Sequence, residues 1–512
     1  MNGLADAILD LGDQLSAHVL LSASAIALGI LVALPLAVWA SRSQRVAQAA
    51  LGFASLVQTI PSLALLALFF PILVSLRSIF GDGLPTLGFL PALLALALYA
   101  LLPILRNAVT AQANLDPGVI EAADGVGMSF RQRLWLVEAP LAAPYIMAGI
   151  RTAAVWTIGA ATLATTIGQT SLGDPIFAGL QTQNWVLVLA GCIASAGLAL
   201  VADSLLGLVE RGFRERRRGL WLGGVTAVAL GVAAALFGQF GGADGEDRVV
   251  IGAKGFSEQY ILARLIGQQL EAAGYAVEYR DGLGSAVAHS AAASGDIDIY
   301  VDYTGTIWAN QMKRSDTLPR DAMLAAIIDW ETQNTGLHVV GRLGFENAYG
   351  LAVDRAFAEA NGLQSIEDLS PIAARLTIGG DPEFFERPEW IAVRDAYGLR
   401  FARQRNFSPT FMYNALKSGE AEVIGAYTSD GRIEADDLVI LEDPRAAFPN
   451  YDAVLMVSGK AAGDAALLAA LQPLVGAIDV AAMREANYSV DRDADKLGFD
   501  EAARNLARRA GL

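Results

Sequence analysis

Along the first 240 residues the apolar positions come in unbroken blocks, not in stripes of alternating character. Blocks near 18–40, 48–76, 88–106, 142–168, 185–208 and 219–240 each approach the about 20 residues that a helix needs to cross the hydrocarbon core of a bilayer. Basic residues orient them. Arg42 and Arg45 follow the first block, Arg106, Arg131 and Arg133 flank the loop after the third, and Arg211, Arg214, Arg216, Arg217 and Arg218 follow the fifth. These loops are therefore expected on the cytoplasmic side, with both ends of a six-span array outside. The opposite loops hold Arg77, beside Asp82, and Asp174, and the N-terminal tail holds Asp6, Asp10 and Asp13.

Polar residues inside the blocks refine the picture. Gln58, Thr59 and Pro61 interrupt the second block, where a proline kink is expected. Arg151 and Asp203 lie about two turns from the inner ends of their spans, within reach of each other or of the interface. Gly149, Ala153, Ala154, Gly159, Ala160 and Ala161 suit close helix packing. The run Leu220 to Phe240 follows a basic cluster, as a secretory signal does. It exceeds a signal's apolar core of about 7–15 residues, so it reads as an uncleaved sixth span.

From Arg248 the period changes. Strand patterns near 248–253, 277–280 and 297–301 alternate with helical patterns at 257–273 and 285–293, the signature of a mostly parallel β-α-β sheet. Residues 350–353, 376–378, 411–418 and 421–424 repeat the pattern, and 453–457 begins a return to the first unit. The expected division is a membrane part at 1–218, a sixth span and linker at 219–245, and an α/β part at 246–512. Its first lobe spans about 246–345 and 450–512 and its second about 349–447, with crossings near 344–349 and 447–452. Two lobes on a hinge close over a small ligand.

Charge follows the same division. The 12 acidic and 12 basic residues up to residue 240 cancel, while the remainder carries 41 acidic against 25 basic, so the whole net charge of −16 lies in the second part. That balance excludes nucleic acid as a partner. Cys192 is alone, and His18, His289 and His338 are scattered, which offers neither a disulfide framework nor a metal site. No nucleophile stands with a base at a useful spacing, and no cofactor is expected; the chain reads as a non-enzyme. It contains no G-x-x-x-x-G-K-[ST] phosphate loop, so any ATP hydrolysis belongs to another polypeptide.

One polar interruption, Glu121 to Pro140, needs a protein groove because a bilayer would not accept its charges. It reads as a short helix, a turn at Gly125 and Gly127, and a second helix carrying Phe130, Leu134, Trp135 and Val137 that Pro140 stops. The spacing resembles the EAA signature of ATP-binding-cassette (ABC) importer permeases: Glu-Ala-Ala, three residues, Gly, nine residues, Ile, one residue, Leu-Pro. Glu121, Ala122, Ala123, Gly127 and Pro140 fall in register, with Val137 for Ile and Ala139 for Leu. The resemblance implies a coupling helix docked on a separate ABC ATPase subunit, in a type I permease that works as two copies of this chain.

In the α/β part Tyr303, Tyr349, Tyr413 and Tyr427 stand in or just past strands or at a helix start, away from core-facing stripes. Aromatic faces attract a quaternary ammonium, which has no hydrogen to donate, by about 0.5–2 kcal/mol per face. Gly252-Ala-Lys-Gly-Phe-Ser-Glu-Gln259, Asp281-Gly-Leu-Gly-Ser285, Gly295-Asp-Ile-Asp-Ile-Tyr-Val-Asp-Tyr-Thr-Gly-Thr306, Phe345-Glu-Asn-Ala-Tyr-Gly-Leu351 and Gly425-Ala-Tyr-Thr-Ser-Asp-Gly431 resemble the substrate-binding proteins of osmoprotectant importers for glycine betaine, choline and carnitine. The resemblance implies an α/β, two-lobed periplasmic-binding-protein (Venus flytrap) fold and an inner-membrane protein with that domain on the periplasmic side. It also implies a cage of Tyr303, Tyr349, Tyr413 and Tyr427 around a trimethylammonium, with Gln259 and Thr306 at the ligand's other end. Glu346-Asn-Ala-Tyr349 departs from the usual Asn-Asn/Asp-Thr-Tyr context. Fused members include importers of ergothioneine, a trimethylated betaine, which is the alternative substrate; the alternative class is a ligand-sensing receptor or channel without ATP coupling. A ring-face role for Tyr303 predicts that Tyr303→Phe keeps most binding and Tyr303→Ala loses it.

Overall fold

A computed structural model describes residues 2–81, 84–182, 184–240, 248–314, 316, 318–407, 409–492 and 494–512. The linker expected up to residue 245 and the charge at Asp82 lie wholly or mainly outside the described residues. The described chain divides into a helical unit, Met1–Ile176 with Val186–Gly245, and an α/β unit, Phe177–Trp185 with Glu246–Leu512.

Six helices among the described residues are long and apolar enough to cross a membrane: Gly12–Ala40, Ser62–Phe80, Phe89–Ala113, Phe130–Ile167, Trp185–Arg214 and Arg218–Gln239. The second differs from the expectation. Where one kinked span over 48–76 was expected, the chain forms separate helices Gln44–Thr59 and Ser62–Phe80. Ile60 adopts φ −75° and ψ 126°. A following proline disfavours the helical region for its predecessor, and Pro61 also lacks the N–H that would continue the ladder, so the break is complete.

Phe89–Ala113 is the most enclosed of the six and packs between Gly12–Ala40 and the helix through Ala139–Ala161. Small residues make this possible. A Cβ on Gly149 would stand 2.8 Å from the Pro103 carbonyl and 2.7 Å from Asn107 Cβ, and one on Gly29 would stand 3.1 Å from Ala100 Cβ. Arg151 does pair with Asp203, at 3.0 Å from Nε and 2.8 Å from Nη2, and its Nη1 also donates to Glu210 at 2.6 Å. Two carboxylates two turns apart on one helix thus grip one guanidinium, which spares all three an unpaired charge inside the span.

The α/β unit contains two five-stranded sheets. Strands β1 (Val249–Lys254), β2 (Val277–Leu283), β3 (Ile299–Tyr303) and β4 (His338–Glu346) join β10 (Asp452–Val457) in the order β2-β1-β3-β10-β4. The second sheet holds β5 (Tyr349–Asp354), β6 (Thr377–Gly380), β7 (Arg403–Asn406), β8 (Val423–Tyr427) and β9 (Leu438–Ile440) in the order β7-β6-β8-β5-β9. Each sheet is mixed: β10 runs against β3 and β4, and β5 against β8 and β9. The reversed strand in each case is the first one after the chain arrives from the other sheet, so it enters at the edge where its neighbours end.

The helix Ser257–Ala272 buries Ile261, Leu262, Leu265, Ile266 and Leu270 behind the first sheet. Helices Val480–Asp491 and Phe499–Ala510 pack back against it. There Ser257 Oγ donates to Asp491 Oδ1 at 2.6 Å, and burial pushes the Asp491 carboxyl up from its ordinary 3.8 to about 6, against the pull of Arg432.

Two outcomes follow from this packing. Gly149→Val, which forces two membrane helices apart, lowers the melting temperature of the detergent-solubilised protein by several degrees while leaving Gly159→Ala, with open space around it, near wild type. For Asp491 the raised value means that the folded state keeps a proton the unfolded chain has released. Its contribution to stability is full below about pH 4 and is lost as pH rises through about 6. Asp491→Asn therefore flattens the stability profile across that window in denaturant titrations, and an unchanged slope would contradict the assignment.

Candidate functional site

The strand ends meet at the two chain crossings. In the first sheet Tyr303 stands opposite Ala453 and Glu346 opposite Asp452; in the second Tyr349 stands opposite Tyr427. Between β4 and β5 only Asn347 and Ala348 intervene. Asn347 N donates to Tyr451 O, and Thr428 N to Ala348 O, both at 2.9 Å, so the outgoing and returning segments are tied to each other and to β8.

On this junction stands a cluster of rings. Tyr349 and Tyr427 have centroids 5.0 Å apart with planes at 41°, and their hydroxyls are 3.5 Å apart. Tyr451 meets Tyr349 edge-on at 5.6 Å and 87°, and Phe384 lies 5.3 Å from Tyr349 on the other side and 5.2 Å from Trp390. Tyr427 donates to Asp381 Oδ2 at 2.9 Å, and the other Asp381 oxygen caps the Pro382–Glu386 helix by accepting from Phe384 N at 2.9 Å. Arg387, nearly buried, holds its guanidinium carbon 5.3 Å from the Tyr349 ring and Nη1 3.7 Å from Glu389, whose carboxylate accepts from the Tyr451 hydroxyl. Gly305 lies flat against Tyr451, where a Cβ would stand 2.5 Å from the ring. Thr306, next in the chain, is buried in the turn that follows β3.

Tyr303 belongs to a second group. Its hydroxyl donates to Glu258 Oε1 at 2.5 Å and accepts from Gln259 Nε2 at 2.9 Å, while Lys254 Nζ lies 5.2 Å above its ring. Lys254 is itself paired with Asp302, which also accepts from Tyr300. Tyr413 is enclosed beside Met412, Ile424 and Ala426; its hydroxyl accepts from Tyr427 N at 3.4 Å, and Arg432 covers its face at 4.2 Å. Burial drives the hydroxyls of Tyr303, Tyr413, Tyr427 and Tyr451 well above the ordinary phenol value, so all four remain neutral donors at neutral pH.

The structure thus sets Tyr349 and Tyr427 side by side with tilted rings and brings Tyr413 to Tyr427 through a hydroxyl. Tyr303 and Gln259 sit together on the first sheet's side. Tyr451, Phe384, Trp390, Arg387, Glu389 and Asp381 complete the cluster without having been singled out from the sequence. A charged and aromatic run, Asp381-Pro-Glu-Phe-Phe-Glu-Arg-Pro-Glu-Trp390, was the available signal for most of them.

In the membrane unit Glu121 and Ala122 are exposed, Ala123 is buried, and Gly127 takes φ +78° at the turn between Pro117–Gly125 and Phe130–Arg133. Ser129 and Gln132 form a reciprocal cap on the second helix. Arg133 closes the turn by bridging Asp124 at 2.6 Å and Glu138 at 2.7 Å. Val126 and Trp135 stand exposed. Pro140 does not stop the helix: Leu134–Glu138 widens into a π turn, and Ala139–Ala161 runs on through the proline. A π turn shifts the hydrogen-bond ladder by one residue, which gives a slot to a residue that has no N–H.

Comparison with known proteins agrees with both halves. Residues 25–215 match the family model described as binding-protein-dependent transport system inner membrane component. Residues 247–508 match the substrate binding domain of ABC-type glycine betaine transport system. The ergothioneine transport permease/ergothioneine binding protein EgtU of Helicobacter pylori (strain G27) is 31% identical over 454 residues, 85% of this chain and 78% of that protein. The glycine betaine/carnitine/choline transport system permease protein OpuCB of Bacillus subtilis (strain 168) is 42% identical over 194 residues, 38% of this chain and 84% of that one. The choline transport system permease protein OpuBB of the same organism is 41% identical over 194 residues, again 38% and 84%. With six helices long and apolar enough to cross a membrane and a two-sheet α/β unit among its described residues, the chain belongs to the ABC importer family whose members join an inner-membrane permease to a glycine betaine-type substrate-binding domain.

Proposed function

We propose that this chain imports a compact trimethylammonium betaine, capturing it between the two lobes of its α/β unit outside the cell membrane and passing it to its own permease. The observation that carries the reading is the junction cluster: Tyr427 tilted at 5.0 Å and Tyr451 edge-on at 5.6 Å to the Tyr349 ring, with the Arg387 guanidinium over that same ring. Ring faces suit a cation that cannot donate a hydrogen bond, and a buried guanidinium suits the carboxylate at the other end of a betaine. Closure of the lobes would add Tyr303, Gln259 and Thr306 from the first sheet's side, with Tyr413 supporting Tyr427 from behind. Glycine betaine, carnitine and ergothioneine all offer this pair of groups, and the similarity over most of the chain to an ergothioneine transporter favours the last of them.

Work for transport comes, in this reading, from a separate ABC ATPase, since the sequence has no phosphate loop. The ATPase grips the exposed face of Glu121, Ala122 and Val126 on a segment that Arg133 stiffens. Two copies of this chain supply the two halves of the pore. Tethering each receptor to its permease keeps it at roughly millimolar effective concentration over the pore.

Calorimetry on the detergent-solubilised full chain tests the ligand assignment. Wild type is expected to bind at least one of glycine betaine, carnitine, ergothioneine and choline. Arg387→Ala weakens the carboxylate-bearing ligands by roughly 10- to 100-fold, the range for one charge-assisted hydrogen bond, and leaves choline, which lacks a carboxylate, within about threefold. Equal loss for choline and the betaines would remove Arg387 from the ligand's anionic end. In vesicles, uptake of the bound ligand requires co-expressed ATPase and ATP; ATP-independent uptake would point to a channel.

A further inference from the structure

One heavily hydrogen-bonded side chain near the junction is not itself part of the cage. Glu258 is almost completely buried at the start of the Ser257–Ala272 helix. Its Oε1 accepts from the Tyr303 hydroxyl at 2.5 Å and from Asn347 Nδ2 at 3.1 Å, and its Oε2 accepts from Asn487 Nδ2 at 3.0 Å. Ser429 adds a further side-chain hydrogen bond, and the same Asn487 nitrogen donates to Ser429 O at 2.9 Å. These partners come from the end of β3, from the crossing between β4 and β5, from the segment that follows β8, and from a C-terminal helix. One carboxylate therefore touches the first lobe, the crossing and the second lobe together.

We propose that Glu258 is a positioning residue for ligand capture, which sets the Tyr303 ring through its hydroxyl and ties that setting to the arrangement of the lobes. The inference rests on the reading of Tyr303 as a wall of the ligand site. The tyrosine hydroxyl spends its one proton on Glu258 and accepts from Gln259, so the ring cannot rotate about its bond to the backbone without breaking both. Asn347 reaches the carboxylate from the crossing and Ser429 from the second lobe, so a change in lobe angle that moves either one changes the field of donors holding Tyr303. Burial pushes the Glu258 carboxyl up, while its four donors pull the other way. Every group around it is a donor, which only an acceptor-only side chain satisfies in full. Glutamine in its place puts an NH2 where a donor already points, and the tyrosine hydroxyl must turn away.

The structure also revises the expectation for Tyr303→Phe. Losing the hydroxyl leaves a buried carboxylate short of its closest donor, so phenylalanine loses binding even though the ring face is kept.

A double-mutant cycle on the full chain tests the proposal, with glycine betaine, carnitine, choline and ergothioneine as probes. Glu258→Gln alone weakens the probe that wild type binds by roughly tenfold, and Tyr303→Phe alone does much the same. In the Tyr303→Phe background, Glu258→Gln costs less than about threefold, because the hydroxyl through which it acts is already gone. If the two losses multiply, Glu258 does not act through Tyr303 and the proposal is overturned. It is equally overturned if Glu258→Gln binds as wild type does, whereas a wild type that binds none of the four probes overturns the ligand reading as well. Asn347→Ala, which removes one donor and keeps the carboxylate, replaces Glu258→Gln in the same cycle if the glutamine variant does not fold.

Discussion

The path of the chain between its two sheets is the constraint from which the chemistry of the α/β unit follows. Each sheet receives one strand that arrives from the other, and that strand runs against its neighbours. It must therefore begin at the edge where the neighbouring strands end, so the two crossings and the carboxyl ends of β3, β4 and β8 share one place. Tyr303, Tyr349, Tyr427 and Tyr451 all lie within a residue of a strand end at that place. Chemistry located there is available to both lobes and is disturbed by any motion between them.

Three of the site tyrosines already have a cation over their rings. Lys254 lies over Tyr303, Arg387 over Tyr349 and Arg432 over Tyr413, and each of these cations is paired with a carboxylate nearby: Asp302, Glu389 and Asp430. Pairing of this kind spares each buried or part-buried cation an uncompensated charge. Arg432 covers the face of Tyr413, whose hydroxyl accepts from Tyr427 N, which makes that ring a brace for Tyr427. Arg387 is closer to the junction, over Tyr349 and beside the Glu389 carboxylate that Tyr451 bonds.

The membrane half was the most legible in the sequence, because a bilayer admits only long apolar helices and leaves few alternatives to the six blocks. The two departures are both prolines. Pro61 ends a helix, although its block is apolar enough to continue, and Pro140 is absorbed by a π turn that no spacing rule shows. In the α/β half the strand patterns put Tyr303, Tyr349 and Tyr427 in or next to strands, and all three lie at strand ends in the structure. Tyr451 escaped notice since it follows a polar loop, Phe448-Pro-Asn, with its ring placed by a crossing that only the fold reveals. Glu258 resembles any acidic residue in a helix's first turn, and its burial depends on Asn347 and Asn487, far away in the chain. Arg387 and Glu389 flank Pro388 in a charged run with no apolar period to mark it, yet both are buried.

The measurement that bears most directly on this account is a structure of the full chain with a saturating trimethylammonium betaine. The account requires the quaternary nitrogen within about 6 Å of the Tyr349 and Tyr427 ring centroids, with Tyr303 facing it from the other lobe and the carboxylate at Arg387. A ligand bound away from those rings, with the junction cluster unchanged around it, would contradict it.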